Sequence, residues 1–302
     1  MIKVAVTELE YRKAEGVFTA AAGDGIECVS APSDEAGLAG LIREARFGVG
    51  HDGIDKALAT RQGLMCTNTP GVLDDSVAEH AVALMLAAAR HVPAVARATV
   101  EGRWSPIVGR ELKGKTLAVI GCGAIGRRVA QIAARGLGMR VVGCEVAEVD
   151  AGLLKERYGV ERVCKEFAEA VREADYVSLH IPALPATAHF MSAERLGRLA
   201  DHAWLINTAR GAVVDEAAVY DALAAGKLGG AALDVFEREP YEPVAAGKDL
   251  RVLKNVILTP HVGSSTQEAC DRMAAEALRN IRLACAGKYE EMNLLNPVAC
   301  KR

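Results

Sequence analysis

Four side chains at the ends of short apolar runs could carry chemistry in this sequence. Arg210 lies in "NTARG", Glu237 and Glu239 lie in "EREP", and His261 lies in "LTPHVGSST". An arginine guanidinium is always charged and can hold a carboxylate through two hydrogen bonds while it touches a neighbouring carbonyl oxygen. An imidazole oriented by a carboxylate can donate or accept a proton. The set therefore predicts a site for a small acidic ligand, with either glutamate as the partner of His261.

A glycine-rich turn supplies a second candidate site. The string "TLAVIGCGAIGRRVAQ" places Gly121, Gly123 and Gly126 as G-x-G-x-x-G between an apolar strand and a helix. Glycines there permit a tight turn, contact of the backbone with a pyrophosphate, and close packing of the helix on the strand. The free amides of Ala124 and Ile125 are expected to face the phosphates at the positive end of the helix.

The strand after this turn bears on which dinucleotide fits. The run "RVVGCE" ends in Glu145, where a carboxylate can accept both ribose hydroxyl groups and would repel a 2′-phosphate. Arg127 and Arg128 could tolerate that phosphate, but they follow the third glycine and are expected to point to solvent. The sequence therefore predicts NAD as the cofactor, with NADP less favoured.

The elements that must position these residues alternate regularly from about residue 115. Apolar runs such as "TLAVIG", "YVSLHI" and "GAALDV" are separated mostly by stretches with a helical period. Continuous apolar strands joined by helices predict a parallel sheet covered on both faces, which is a doubly wound α/β domain. Ligands of such sheets bind at the carboxyl ends of the strands, so the candidate side chains are expected to converge there.

The N-terminal residues repeat this alternation in a shorter form and predict a second, smaller α/β domain. We expect the last helix, at about 267–286, to return to it. The expected boundaries are a discontinuous substrate domain of residues 1–75 and 268–302 and a dinucleotide-binding domain of residues 76–267. The Ala/Leu-rich helix at 76–91 carries too many apolar residues for one stripe, so we expect it between domains or subunits, as the core of a homodimer.

Composition narrows the class of protein. A chain of 302 residues with 51% hydrophobic and 25% charged residues suits two globular domains with substantial cores. A formal charge of −3, without basic segments that contain aromatic residues, argues against a nucleic-acid partner. The longest apolar run, "AVALMLAAA", is about half a membrane span, which argues against a membrane partner. Eight cysteines without a C-x-x-C pair predict a cytoplasmic protein. The histidines lack the spacing of metal ligands, so no metal is expected.

Several strings occur together in a fixed order. The glycine turn, "NTARG", "DVFEREP", "LTPHVGSST" and "NTPGVLDDSVAEH" resemble the D-isomer-specific 2-hydroxyacid dehydrogenase family, over a stretch from about Phe47 to the C-terminus. The resemblance implies a Rossmann NAD-binding domain with a flavodoxin-like substrate domain. It also implies NAD-dependent interconversion of a small 2-oxo acid and its D-2-hydroxy acid. The string "NTPGVLDD" hints at glyoxylate or hydroxypyruvate reductases within a family that includes phosphoglycerate dehydrogenases.

The resemblance also implies roles for individual residues. It selects Glu239, not Glu237, as the partner of His261, and completes the catalytic set with Arg210. It suggests that the backbone amides of Val49 and Gly50 receive the substrate carboxylate. The residues expected to line the cofactor cleft are Pro182, Thr187, Thr208 and Asp234, the last of these near the nicotinamide.

The chain departs from the family pattern in its first domain. Members usually carry one more strand–helix unit before the "VGHDGID" loop, and no such unit is found near Arg46 and Phe47. We therefore expect either a shortened substrate domain or residues missing from the sequence. Two other functions remain open at this point: a phosphite-type dehydrogenase, and an NAD-sensing binding protein similar to the corepressors of the same family.

Overall fold

The computed structural model describes residues 2–31 and 54–296, which divide into two units. Unit 1 combines the residues up to Leu73 with those from Ser264 onward, and unit 2 runs from Asp74 to Gly263. The sequence placed the corresponding boundaries at 75/76 and 267/268. The assignment of substrate binding to the first unit stays a prediction.

Unit 1 contains a parallel pair of strands with helices from both ends of the chain. Its elements are β1 (Ile2–Thr7), α1 (Glu8–Lys13), α2 (Glu15–Ala20), β2 (Ile26–Ala31), α3 (Lys56–Arg61) and the last helix, α11 (Gln267–Cys285). Helix α11 contacts α1 and α2, and the buried Asn280 on α11 donates to the carbonyl oxygen of Asn68 at 3.2 Å. The expected shortening before the "VGHDGID" loop concerns residues outside the described ranges.

Unit 2 is built on a parallel sheet of seven strands. These are β3 (Thr116–Ile120), β4 (Arg140–Cys144), β5 (Val160–Cys164), β6 (Tyr176–Leu179), β7 (Trp204–Asn207), β8 (Gly230–Leu233) and β9 (Val256–Leu258). Their order across the sheet is β5-β4-β3-β6-β7-β8-β9, so the direction of winding reverses between β3 and β6. This order confirms the predicted doubly wound α/β fold. A reversal of this kind opens a crevice at the carboxyl ends of the strands.

Both faces of the sheet are covered, as continuous apolar strands require. The helices of unit 2 are α4 (Asp74–Ala89), α5 (Val92–Val100), α6 (Ala124–Gln131), α7 (Ala151–Tyr158), α8 (Phe167–Val171), α9 (Ala193–Leu196) and α10 (Glu216–Ala224). Leu117 and Val119 of β3 belong to a core that includes residues of α4 and α6. The alternate residues Ala118 and Ile120 belong to a second core, with residues of α8, α9 and α10.

Helix α4 owes its apolar character to burial within unit 2. It packs against α6, β7 and β8, and its buried residues include Ala81, Val82 and Met85. The sheet and α6 of its own unit thus account for much of this burial, and the expectation that the helix also lies between domains or subunits stays a prediction. Among the described residues no single helix is long and apolar enough to cross a membrane. In the same described ranges, one pair of helices, α4 and α5, bent by 66° at its break, together has the length and composition of a membrane span.

Candidate active site

The glycine turn joins β3 to α6 at the carboxyl edge of the sheet. Gly121 has φ +94°, a conformation that favours glycine, and a Cβ there would lie 2.6 Å from the carbonyl oxygen of His180. A Cβ on Gly126 would overlap the carbonyl oxygen of Gly121, so helix and turn touch directly. Gly123, in contrast, faces open space, since a Cβ built there meets no atom within 4 Å. The turn therefore leaves its middle glycine accessible to a ligand.

The carboxylate of Glu145 lies beside this turn. Its Oε2 accepts from the amide of Cys122 at 2.9 Å, and its Oε1 accepts from the amide of Ala147 at 3.0 Å. Each oxygen keeps a further lone pair with which it could meet a ribose hydroxyl group. Arg127 was expected to point to solvent, and this expectation was wrong, because its Nε donates to the carbonyl oxygen of Cys122 at 2.7 Å. Arg128 is more exposed and pairs with Asp75.

The remaining residues assigned to the cofactor cleft follow β6, β7 and β8. Pro182 and Thr187 belong to one turn, which Thr187 Oγ1 closes by donating to the carbonyl oxygen of Pro182 at 2.6 Å. Thr208 directly follows β7 and is 7% exposed. Its hydroxyl group is buried and has no hydrogen-bond partner within residues 2–31 and 54–296. A buried hydroxyl group without a partner indicates a position where a ligand can complete the hydrogen bonding.

The turn of Arg210 is shaped by Asn207, the fully buried last residue of β7. Asn207 Nδ2 donates to the carbonyl oxygen of Arg210 at 2.9 Å, and Asn207 Oδ1 accepts from the amide of Ala209 at 3.0 Å. The next residue, Gly211, lies so close to the peptide between Phe236 and Glu237 that a Cβ would overlap it. This contact brings the turn that carries Arg210 against the loop that follows β8.

The loops after β8 and β9 bring Glu239 and His261 into direct contact. Glu239 Oε2 lies 2.7 Å from His261 Nδ1, and Glu239 Oε1 accepts from the amide of Phe236 at 3.0 Å. His261 has φ +53°, which is uncommon for a residue other than glycine. Glu237, the other candidate partner, lies instead 2.9 Å from Nε2 of His189. The geometry thus brings Glu239 and not Glu237 to His261.

Asp234 anchors the loop that carries His261. Its backbone oxygen accepts from the amide of His261 at 2.8 Å, and its carboxylate accepts from the amides of Val262 and Gly263 at 2.9 and 2.8 Å. Thr259 Oγ1 also donates to this carboxylate, at 2.6 Å. The side chain is only 1% exposed. Asp234 therefore holds the loop of His261, and its assignment to the nicotinamide stays a prediction.

Hydrogen bonding also controls the ionisation of this carboxylate. Burial alone would raise the pKa of Asp234, but hydrogen bonds from His80, Thr259 and two backbone amides together hold the pKa below its usual value. His80 lies on α4, with Nε2 3.3 Å from Asp234 Oδ1 and 3.2 Å from Thr259 Oγ1. Sequence reasoning missed this role of His80, because nothing in "VAEHAV" distinguishes it from an ordinary helical histidine. Val49 and Gly50 lie outside the described residues.

The residues of the glycine turn fit a bound dinucleotide. Gly123 offers open space at the start of α6, where the free amides and the helix dipole favour a phosphate. Glu145 lies at the end of the next strand, and the buried hydroxyl group of Thr208 lacks a partner in the described part of the chain. A cofactor bound there would lie at the carboxyl ends of the strands, where the loops of Arg210, Glu239 and His261 also lie.

Comparisons with known proteins agree with this architecture. The family model described as D-isomer specific 2-hydroxyacid dehydrogenase, NAD binding domain, matches residues 82–263. The chain is 39% identical over 261 residues to a glyoxylate reductase of Thermococcus litoralis, covering 83% of this chain and 76% of the relative. It is 41% identical over 242 residues to a hydroxypyruvate reductase of Thermotoga maritima, covering 78% and 75%.

Solved structures are similar over nearly the whole chain. The crystal structure of a D-lactate dehydrogenase from Aquifex aeolicus, complexed with NAD and lactic acid, matches with a TM-score of 0.74 and 30% identity. The match covers 97% of this chain and 86% of that one. The comparisons thus support a nicotinamide-dependent dehydrogenase. They give no support to a phosphite dehydrogenase or to a corepressor-like binding protein.

Proposed function

Because the chain belongs to the D-isomer specific 2-hydroxyacid dehydrogenase family, we propose that it interconverts a small 2-oxo acid and its D-2-hydroxy acid with NAD. The observation that carries this proposal is the contact of 2.7 Å between His261 Nδ1 and Glu239 Oε2. It lies in loops at the carboxyl ends of β8 and β9, beside the turn of Arg210. A carboxylate that holds an imidazole in this way orients it for acid–base catalysis.

Glu239 orients the imidazole for proton transfer. Its carboxylate accepts from His261 Nδ1, so the other ring nitrogen, Nε2, is left to exchange a proton with the substrate oxygen. During reduction Nε2 donates this proton to the carbonyl oxygen as it becomes a hydroxyl group, and during oxidation Nε2 accepts it. The second oxygen of Glu239 accepts from the amide of Phe236, which fixes the carboxylate.

Arg210 holds the acid group of the substrate. Its guanidinium is suited to a carboxylate and can also stabilise negative charge on the adjacent carbonyl oxygen. Asn207 fixes the backbone of this turn on both sides of Ala209. By the resemblance of "VGHDGID" to the family, the amides of Val49 and Gly50 are proposed as the second carboxylate contact.

The cofactor supplies the redox chemistry, as a hydride donor or acceptor at the carbon that bears the oxygen. Gly121, Gly123 and Gly126, with the amides of Ala124 and Ile125, would hold its pyrophosphate. Glu145 would accept from the ribose hydroxyl groups, which favours NAD over NADP. Pro182, Thr187 and Thr208 would border the cleft.

A substrate panel tests the proposed function. Loss of NADH absorbance is followed with glyoxylate, hydroxypyruvate and pyruvate, each also with NADPH. The reverse reaction is followed with the D and L forms of lactate and glycerate. We expect turnover of at least one 2-oxo acid, faster with NADH than with NADPH, and oxidation of D forms alone. Absence of turnover with every 2-oxo acid, or oxidation of L forms, would contradict the proposal.

We further propose that the protein is a homodimer. The segment from Val92 to Val108 exposes apolar side chains, among them Val100 at 88%, Trp104 at 89% and Val108 at 95%. Apolar surface concentrated in one segment is typical of a protein–protein interface. A second copy of the chain would cover this segment.

The cysteines support a reducing compartment, and we propose the cytoplasm. The seven cysteines in the described ranges are free thiols, and all except Cys28 and Cys285 are buried. Burial raises the pKa of Cys122 to about 12 and the pKa of Cys144 to about 11, so both thiols stay protonated. Free, unpaired cysteines are the rule in compartments kept reduced by cellular thiols.

A further inference from the structure

Glu216 is a buried acid close to the catalytic loop, and the proposed mechanism does not use it. It is the first residue of α10 and is 2% exposed. Its Oε1 accepts from the amide of Glu237 at 2.6 Å, while its own amide donates to Glu237 Oε1 at 3.1 Å. Each of the two glutamates thus binds the backbone of the other. Glu216 Oε2 is buried and has no hydrogen-bond partner among the described residues.

The peptide held by this exchange belongs to the loop of Glu239 and packs against the turn of Arg210. Gly211, which follows Arg210, packs against the Phe236–Glu237 peptide so closely that a Cβ there would overlap it. The amide of Phe236 donates to Glu239, and Glu239 contacts His261. Glu216 therefore holds a peptide that touches Gly211, the neighbour of Arg210, and that belongs to the same turn as Glu239.

Glu237 is fixed from its other side by His189. His189 Nε2 lies 2.9 Å from Glu237 Oε2, and the amide of His189 donates to the carbonyl oxygen of Ala212 at 2.8 Å. The hydrogen bond to Glu237 raises the pKa of His189, which favours an ion pair. Negative charge on Glu237 is also stabilised at the N-terminal end of α10. His189, Glu237 and Glu216 thus form a series of contacts next to the turn of Glu239.

We propose that Glu216 is a positioning residue of the catalytic site: it holds the Phe236–Glu237 peptide against Gly211, and so fixes Glu239 and His261 relative to Arg210. This inference rests on the proposed function. Small displacements of acid–base groups lower the rate strongly, because proton transfer requires reacting atoms within hydrogen-bond distance. A residue that touches neither substrate nor cofactor can therefore control kcat.

A simpler role for Glu216 is stabilisation of α10 alone, since acidic residues are favoured in the first turn of a helix. That helix already has a cap, because the side chain of Asp215 accepts from the amide of Ala218 at 2.9 Å. The bond from Glu216 to the amide of Glu237 leaves the helix and reaches a different loop. Asp215 and Glu216 are therefore a matched pair: within residues 2–31 and 54–296, only the side chain of Glu216 hydrogen-bonds to the loop of Glu239.

The test compares Glu216→Met, Glu216→Gln and Asp215→Ala with the parental protein. Methionine keeps the length and packing of the side chain but is only a weak hydrogen-bond acceptor, whereas glutamine keeps an acceptor oxygen. Folding is followed by circular dichroism, and NADH binding by fluorescence titration. Rates are expressed per cofactor-binding site, with the 2-oxo acid that the parental protein reduces fastest.

We expect Glu216→Met to lower kcat by about 10- to 100-fold while KM and the NADH dissociation constant change by less than about threefold. Glu216→Gln should retain kcat within about threefold of the parental value, and Asp215→Ala should lower Tm without lowering kcat. Parental kcat in Glu216→Met, loss of NADH binding in that variant, or equal losses in all three variants would overturn the inference. Failure of the parental protein to reduce any 2-oxo acid would instead count against the proposed function.

Discussion

Asp234 shows how one buried residue can organise the loop that carries the proposed catalytic histidine. The amides of His261, Val262 and Gly263 all donate to it, the first to its backbone oxygen and the others to its carboxylate. These bonds hold His261 at φ +53°, a conformation that a residue other than glycine keeps only when its surroundings stabilise it. The unusual backbone of His261, the proposed proton donor, is therefore a consequence of Asp234.

Replacement of this carboxylate by an amide tests that dependence. In Asp234→Asn the new NH₂ group must face a donor, because two amides and Thr259 all donate to the side chain. We expect a loss of about 1–3 kcal/mol of unfolding free energy, and a drop in kcat of at least about 10-fold as the loop of His261 shifts. Thermal unfolding measures the loss of stability and steady-state rates measure kcat, with Asp201→Asn as the control because Asp201 is exposed. Parental kcat in Asp234→Asn would show that the loop is held by other contacts.

Sequence reasoning could reach some of these residues and not others. Gly121, Gly123, Gly126 and Glu145 follow from a turn whose geometry demands particular residue types at particular spacing. The choice between Glu237 and Glu239 needed the family resemblance, because two acids in one loop differ only in which way each side chain points. His80 and Asp234 meet through tertiary packing of α4 on β8, and no local pattern signals such a contact.

At the scale of elements, the glycine turn separates two roles that the sequence motif does not distinguish. Gly126 packs against the backbone of Gly121, whereas Gly123 faces open space. Gly126 should therefore serve the folding of the β3–α6 unit, and Gly123 should serve the approach of the cofactor.

Two alanine substitutions test this separation. Gly126→Ala forces a Cβ into the carbonyl oxygen of Gly121, so we expect a lower Tm and a loss of about 1–3 kcal/mol. Gly123→Ala should keep Tm, because its φ of −69° suits alanine, but should weaken NADH binding by about 10-fold or more, since the methyl group occupies space used by the pyrophosphate. Thermal unfolding and fluorescence titration report the two effects. Unchanged NADH affinity in Gly123→Ala would place the cofactor elsewhere.

The start of α10 carries a prediction about pH. Burial raises the pKa of Glu216 to about 7, and the nearby charges of Glu237 and Glu239 raise it further, against the bond from the Glu237 amide. Because the folded state binds this proton more tightly than the unfolded state, stability falls as pH rises from the usual glutamate pKa to about 7. The titratable groups around it also include His189 and Arg238, and the phenol of Tyr241, which stays neutral over this range.

Glutamine at position 216 does not titrate and should remove this dependence. As the pH rises from about 5 to about 8, the unfolding free energy of Glu216→Gln should increase relative to that of the parental protein, by up to about 3 kcal/mol. Chemical denaturation at several pH values measures it, with Glu194→Gln as a control, because Glu194 is exposed on α9. A difference independent of pH would mean that the pKa of Glu216 in the folded protein is close to its usual value, so that the side chain is already charged over this range.

The apolar character of α4 illustrates what element-level reasoning could not supply. The sequence correctly indicated a long buried helix, but periodicity does not tell which surface buries it. The structure shows that the sheet and α6 cover it within unit 2. A second apolar surface that suggests a subunit interface lies in the following segment, residues 92–108, where Val100, Trp104 and Val108 are exposed.

At the scale of the whole molecule, the proposed homodimer is tested by its mass in solution. Sedimentation velocity should give twice the chain mass for the parental protein. Val108→Asp places a charge on a side chain that is 95% exposed in the single chain, and should shift the mass towards the monomer. Val252→Asp is the matched control, since Val252 is 68% exposed in a different part of unit 2. A monomeric parental protein, or a dimer unaffected by Val108→Asp, would contradict this interface.

The central claim is that His261, held by Glu239, exchanges the substrate proton beside Arg210. The most direct measurement is kcat/KM of His261→Gln with a 2-oxo acid that the parental protein reduces, together with the NADH dissociation constant of each protein. We predict that kcat/KM falls by about 100- to 10,000-fold, because an amide cannot deliver the proton, while NADH affinity stays within about twofold. A kcat/KM close to the parental value would contradict the account.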